Sequence, residues 1–493
     1  MIPLTLAEIA ALTGGSLSPA SGMPGASTPG IPEISDMRAS LVTGPVIIDS
    51  RRAAPGALFA ALPGEHADGH DFAPAAVAAG AVAVLASRPV PGVPAVVVPD
   101  AIVALGALAR AVLARLPAAA VTGITGSSGK TSTKDLTAQV VEHLGPTIAP
   151  EGSFNNEIGL PLTVLRADAS TRFLVLEMSA RGMGHIAALC EIAPPRIGAV
   201  LNVGRAHAGE FGSLDAVAKA KGELPEALPA DGVAVLNADD PRVLAMADRT
   251  AARVVTFGVH DTSNRPSMGG SSPPISPSVR AEGIRLDDLG RASFRLLMHD
   301  VAAPVTLRVH GAHHVSNALA AAAIAGELGM DTPAIAAALN AATARSKRRM
   351  ELHERADGVL VVNDSYNANP DSARAAIEAL RHLSQGGRRG FAVIGHMAEL
   401  GDIADDSHAE IGRLAAQAGV TGLIVVGEQA LPALMGARAE TGWHGTAIAA
   451  PDALSAVAAL DNLLRPGDVV LVKASKSAEL WEVADRLLAE DAP

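Results

Sequence analysis

Short apolar, β-branched runs recur along the chain between longer alanine-rich stretches. They are VAVL (82–85), AVVV (95–98), AVTGIT (120–125), RFLVLEM (172–178), IGAVLNV (197–203), GVAVLN (232–237), VLVVND (359–364), GFAVIG (390–395), LIVVG (423–427) and VVLVKAS (469–475). Nearly continuous apolar strands alternating with helices predict parallel sheets covered on both faces. The alternation falls into three blocks, so the expected fold is α/β with three domains in series, 1–117, 118–343 and 344–493. The first boundary follows a helix over 101–115. The second lies between an Ala-rich helix and the basic turn RSKRRME, near 341–346. TSNRPSMGGSSPPISPS (262–278) is too rich in Ser, Pro and Gly to bury a core and reads as a flexible surface loop. No internal repeat is evident.

Composition supports several domains, since 493 residues exceed what one core can organise. Hydrophobic residues make up 49% and aromatics only 2%, so the cores must be built from Ala, Val, Leu and Ile. The net charge of −12 argues against a nucleic-acid partner, whose phosphates need clustered Lys and Arg. A single cysteine, Cys190, excludes a disulfide framework and a multi-cysteine zinc site and suggests a reducing compartment. The N-terminus MIPLTLAEIA has no basic region and carries Glu8, unlike a signal peptide. The Ala-rich stretches 101–120 and 315–330 are interrupted by Arg110, Arg115, Asn317 and Glu327, so they read as buried or amphipathic helices rather than membrane spans. A soluble, cytoplasmic protein is expected, with no membrane insertion.

The stretch GITGSSGKTSTKDL (123–136) carries the first candidate chemistry. It sits between a strand (AVTGIT) and a helix (TSTKDLTAQVVEHL), the context that makes a phosphate-binding loop credible. Backbone N–H groups from Gly126 to Gly129 would face an anion, with the helix N-terminus adding positive potential. Lys130 would then meet the outer phosphates, and the Thr131 hydroxyl a Mg²⁺ ion. The alternative is an ordinary helix-start turn with a solvated lysine. The loop also departs from the strict P-loop pattern, because Ile124 stands where its first glycine belongs.

Two strand ends in the same block offer further ligands. Glu177 follows four apolar residues and should emerge at the carboxyl edge of a parallel strand, where open sheets bind ligands and where a carboxylate suits Mg²⁺. His207, beyond IGAVLNV, would reach the same edge. His313 and His314 are adjacent and cannot face one way, so they read as structural or as minor parts of a nucleotide pocket.

Taken together, IDSRRAAPGALFAAL, DGHDF, GITGSSGKTST, EGSFNNEIGLPLTVL, EMSARGMGHI, NVGRAHAGEFGS, AKAKGEL, LNADDP, GAHHVSNALAA, RRMEL, NDSYNANPDS and LVKASKS resemble the Mur ligase family of ATP-dependent amide-forming enzymes. They follow the family's order over nearly the whole chain. FNNEIGLP and DSYNANP point within it to ligation of D-alanyl-D-alanine to UDP-N-acetylmuramoyl-tripeptide. The family's loop, TG-S/T-x-GKT-S/T, lacks the early glycine and so accounts for Ile124.

The resemblance implies a central P-loop parallel-sheet ATPase domain and a C-terminal Rossmann-like α/β domain that closes on ATP and binds the dipeptide. The first domain would hold the uridine diphosphate part through Ser50 and Arg51. ATP would lie on Thr125, Gly126, Ser127, Ser128, Gly129, Lys130, Thr131 and Ser132. Asn317 would contact adenine, Arg349 the phosphates and Asp364 the ribose, with Tyr366 and Asn367 flanking the closed site. Mg²⁺ would be held by Thr131, Glu177, His207 and Lys221, and Asn155 and Asn156 would lie near the tripeptide end. Lys221 fits the family pattern A-K-x-E for a lysine carried as a carbamate, and Lys219 is the competing candidate.

The implied catalytic set is Lys130, Lys221, His207 and Glu177. Two departures fall in the third block: His396 stands in GHMAELG where an acidic residue is usual, and Lys473-Ala474-Ser475-Lys476 replaces K-G-S-R. They leave the contacts to the dipeptide open. The expected partners are small molecules and the expected state is a monomer. Another amide ligase of this fold, acting on folate or an earlier precursor, and a P-loop kinase or regulatory ATPase remain as alternatives.

Overall fold

The structure is a computed structural model describing residues 1–19, 34–64, 67–205, 208–259 and 276–489. His207 therefore lies outside the described residues, as does most of the 262–278 stretch. The chain divides into two compact units. The first comprises Met1–Gly123, Gly145–Ser179 and Ile186–Arg196, and the second Ile124–Leu144, Ala180–His185 and Ile197–Pro493.

In the first unit a five-stranded sheet runs in the order Ser16–Ser18, Ala95–Val97, Ala83–Ala86, Leu58–Ala60, Val46–Ile47. Only Ser16–Ser18 is antiparallel to its neighbour. Phe59 and Val84 pack in its core with Ala73 and Ala76 of helix Ala73–Ala78, whose small side chains let the helix approach the sheet closely. The N-terminal segment MIPLTLAEIA forms a helix, Leu6–Thr13, started by a capping box between Thr5 and Glu8. The 101–115 expectation becomes the helix Ala101–Ala114, whose N-terminal amides of Ile102 and Val103 are capped by Asp100. In the same unit, Phe173–Glu177 pairs in parallel with Thr147–Ile148.

The second unit contains two sheet regions. Ile197–Val200, Val233–Asn237, Arg253–Gly258 and Val279–Leu286 lie side by side in parallel, then two antiparallel strands, Arg291–Met298 and Val301–His310, extend the sheet. The strands over 279–310 are absent from the sequence expectation. Their side chains alternate between buried and exposed, as along Val301–His310, so they form no continuous apolar run.

Helix His314–Glu327 is buried along most of its length and packs on this sheet. Among the described residues no helix is long and apolar enough to cross a membrane.

The C-terminal six-stranded sheet runs Glu351–Glu354, Leu360–Asp364, Val469–Lys473, Gly390–Ile394, Gly422–Val426, Thr446–Ala450. All neighbours are parallel except the first pair. The last strand returns between the second and third in chain order, as in doubly wound folds. Separate apolar clusters cover its two faces, one around Val362, Ile377, Leu471 and Ile411, the other around Val361, Phe391, Val472 and Val483. This explains why these strands read as unbroken apolar runs.

Candidate nucleotide-binding and ligase site

The glycine loop is built by two strand ends in the second unit. Leu201 N–H donates to Thr125 O at 3.0 Å, and Ser127 N–H to Asn202 O at 3.1 Å. Asn202 then grips the loop with its side chain. Its Oδ1 accepts from Ser128 N at 2.9 Å and its Nδ2 donates to Ser128 O at 3.2 Å. Gly129 adopts φ 78°, a left-handed conformation favouring glycine, and a Cβ there would stand 2.6 Å from Asn317 Oδ1.

Helix Lys130–Val141 starts directly after this turn without a side-chain cap, the form of a helix start that presents its amides to an anion. Lys130 Nζ donates to Gly126 O at 2.7 Å, folding the ammonium over the loop. Thr131 is buried, and the buried Thr125 Oγ1 has no hydrogen-bond partner among the described residues. A phosphate-sized anion in the turn would meet amides, a hydroxyl and an ammonium together. Ser132 is half-buried in the first helical turn.

Lys221 ends the helix Leu214–Lys221 and is only 3% exposed, whereas Lys219 is exposed. The two candidates thus differ in burial. Burial, reinforced by the charge of Lys130, pushes the Lys221 ammonium well below its ordinary pKa. Among the described residues it has no carboxylate partner to oppose that shift.

In the first unit, Glu177 is buried at the end of its strand and accepts from Asn155 Nδ2 at 2.7 Å. Asn155 O accepts in turn from Ser179 N at 3.0 Å. Asn156 Oδ1 is engaged locally, accepting from Gly159 N at 2.9 Å at the start of helix Gly159–Val164. Ser50 and Arg51 lie in a single 3₁₀ turn that Asp49 caps. Arg51 Nε and Nη2 reach Asp49 Oδ1 and Oδ2 at 2.9 and 2.8 Å. That pairing and the Arg51 amide hold the Asp49 carboxyl down at about 2.

In the C-terminal domain, Asp364 ends its strand with Oδ2 2.7 Å from Lys473 Nζ, and its Oδ1 accepts from Met350 N at 3.2 Å. Lys473 also donates to Asn367 O at 2.8 Å. The Arg349 guanidinium lies 4.4 Å from the Tyr366 ring centroid, a cation–π contact that places two expected nucleotide contacts side by side. Arg348 and Met350, flanking Arg349, both adopt left-handed backbone conformations.

Sequence reading missed Lys473 and Asn202 as organising residues. A lysine ending an otherwise apolar strand was the available signal for the first. Asn202, one of several strand-end polar residues, carried none. Among the described residues no group of three or more His, Cys, Asp or Glu is arranged to hold a metal.

The chain matches the families described as Mur ligase middle domain over residues 124–325, Mur ligase glutamate ligase domain over 348–476, and Mur ligase catalytic domain over 45–127. It is 49% identical to the UDP-N-acetylmuramoyl-tripeptide--D-alanyl-D-alanine ligase of Mycobacterium tuberculosis, with 100% of this chain and 99% of the relative covered. Identity to the Escherichia coli enzyme of the same name is 35%, covering 91% and 94%. Among solved structures, MurF from Acinetobacter baumannii superposes with a TM-score of 0.82 at 28% identity, covering 99% of each chain. MurF ligase from Thermotoga maritima in complex with ADP gives a TM-score of 0.75 at 28% identity, covering 92% and 99%.

Proposed function

The chain belongs to the Mur ligase family, and from that premise we propose that it joins D-alanyl-D-alanine to the C-terminal carboxylate of UDP-N-acetylmuramoyl-tripeptide, with ATP converted to ADP and phosphate. The observation that carries this reading is full-length identity of 49% to a ligase of that name, in a chain whose glycine loop and Lys130 form an anion-receiving helix start.

A carboxylate is a poor electrophile, so the reaction needs activation. ATP phosphorylates the tripeptide carboxylate to an acyl phosphate, the dipeptide amine attacks its carbonyl carbon, and the tetrahedral intermediate expels phosphate. The protein's part is positioning and charge neutralisation. The loop amides and Lys130 bind the phosphates, and Arg349, steadied against Tyr366, approaches them from the C-terminal domain. Asn317, whose side chain lies against Gly129, contacts the adenine. Asp364 takes the ribose while Lys473 holds its carboxylate, with Asn367 alongside. Ser50 and Arg51 hold the uridine diphosphate end, and Asn155 and Asn156 lie towards the tripeptide.

Mg²⁺ fits the donor chemistry, which is a hydroxyl, a carboxylate and a lysine that can become an oxygen ligand. The proposed holders are Thr131, Glu177, His207 and Lys221 as its carbamate. Bound there, the ion would supply charge neutralisation on the phosphoryl oxygens. Burial lowers the Lys221 pKa and so favours the unprotonated amine, the form that adds CO₂. We place the enzyme in the cytoplasm as a monomer acting on small molecules.

The test is phosphate release from ATP with UDP-N-acetylmuramoyl-tripeptide, comparing D-alanyl-D-alanine with single amino acids and folate. Turnover only with the dipeptide is expected. Turnover with folate or a single amino acid instead would replace this reading with another ligase activity.

A further inference from the structure

The segment after strand Ile197–Val200 touches the glycine loop on one side and the C-terminal domain on the other. Ser127 Oγ donates to Gly204 O at 3.1 Å and lies 2.8 Å from Gly204 N, whose proton points to it. One residue on, Arg205 N–H donates to Asp371 Oδ2 at 2.9 Å. Asp371 stands in the first turn of helix Pro370–Leu383, within NDSYNANPDS. Gly204 is squeezed between the two: a Cβ there would collide with Asp371 Oδ2 and lie 3.4 Å from Ser127 Cβ. Further along, Gly209 N–H donates to Glu399 O at 3.3 Å, and Glu399 pairs with Arg181 at 3.4 Å. The C-terminal domain thus holds this segment at both Arg205 and Gly209.

We propose that Asp371 is a positioning residue that couples the C-terminal domain to the phosphate-binding loop through Gly204 and Arg205. A helix-start aspartate ordinarily caps its own helix or complements the helix dipole. Here Asn369 performs the capping, accepting from Ser372 N, so the Asp371 carboxylate is spent on another domain's backbone. A charge-assisted bond of this kind is stronger than a neutral one and directional. When it forms, the Ser127–Gly204 contact is held from behind and the loop keeps the shape that receives phosphate. Loop order and docking of the C-terminal domain then become one event. The proposal rests on the ligase reading for its kinetic consequence, though not for its structural one.

The experiment uses the full chain and compares D371A, D371N, G204A and the double variant G204A/D371A. In the ligase assay, Asp371→Ala should lower kcat roughly tenfold, the scale of losing one charge-assisted hydrogen bond, with KM for the UDP-linked substrate unchanged. Asp371→Asn keeps an acceptor oxygen and should recover part of the rate. Gly204→Ala should be at least as damaging alone, yet add little on top of Asp371→Ala, because the carboxylate it would strike is gone.

Hydrogen–deuterium exchange supplies the readout independent of substrate identity. Amides over 126–129 and 202–205 should exchange faster in Asp371→Ala. Wild-type kinetics together with unchanged exchange overturns the proposal, as does a lowered Tm with neither changed. Faster exchange in Asp371→Ala, found alongside a wild-type protein that shows no dipeptide ligase activity, upholds the coupling and refutes the ligase reading instead.

Discussion

Lys473 Nζ lies 2.7 Å from Asp364 Oδ2 inside the C-terminal domain, with the two side chains 2% and 14% exposed. Burial lowers the lysine's pKa while the carboxylate opposes the shift. Removing one partner of such a pair strands the other's charge, which costs about 3–5 kcal/mol. Asp364→Ala should therefore lower stability by that order in chemical denaturation. Lys473→Met, which leaves the less buried aspartate, should cost less. Equal and small effects would show the pair to be solvated.

Lys221 should carry a carbamate. With ¹³C-bicarbonate, wild-type protein is expected to show a carbamate carbon resonance that Lys221→Ala lacks, and Lys221→Ala should lose most ligase activity. Lys219→Ala should keep both. A signal that survives Lys221→Ala, or disappears in Lys219→Ala, would reverse the assignment that burial makes.

Stability should fall on mild acidification. His310, His313, His314 and His408 have pKa values lowered from the ordinary 6.5, in each case chiefly by burial. Below that value the unfolded chain binds protons that the folded chain refuses, so stability present above pH 6.5 is lost as pH falls towards the folded values. Thermal unfolding at pH 7.5, 6.5 and 5.5 should give a descending Tm. Replacing His408, whose Nε2 accepts from Met397 N at 2.9 Å, with Gln should flatten part of that descent. A Tm independent of pH over this range would contradict it.

Helix Lys130–Val141 and the residue after it hold the segment leading to the C-terminal domain at three points. Asp135 accepts from Ser346 N at 2.9 Å, Gln139 exchanges two hydrogen bonds with Thr343 at 2.9 and 3.0 Å, and Glu142 pairs with Arg345 at 2.6 Å. The three should differ in weight. Asp135 is buried beside Lys134, so Asp135→Ala deprives a buried ammonium of this partner and should cost about 3 kcal/mol. Glu142 and Arg345 are 40% and 45% exposed, so Glu142→Ala should cost under about 1 kcal/mol. Urea titrations of the two variants check the contrast, and comparable losses would refute it.

Much of the fold was legible because parallel strands buried on both faces show as unbroken apolar runs, as VVLVKAS and GFAVIG do. The antiparallel strands over 279–310 were not, since one side of each faces solvent and Arg295 or Thr306 interrupts the run. In the site, the glycine loop was readable from the strand before it and the helix after it, although its spacing departs from the strict pattern at Ile124. The pattern A-K-x-E alone favours Lys221 over Lys219, and the difference in burial between them was not legible in the residues. Asn202 and Asp371 were invisible, because each acts on backbone atoms that folding brings near from 74 and 166 residues away.

The central claim is tested most directly by Lys130→Ala in the phosphate-release assay with ATP, UDP-N-acetylmuramoyl-tripeptide and D-alanyl-D-alanine. Wild-type protein should release phosphate only when all three are present. Lys130→Ala should lose at least about a hundredfold in kcat, the scale seen when one stabilising donor is removed from a developing charge, with its Tm kept. Dipeptide-dependent turnover retained by a folded Lys130→Ala protein would contradict the assignment of the glycine loop as the site where ATP is used.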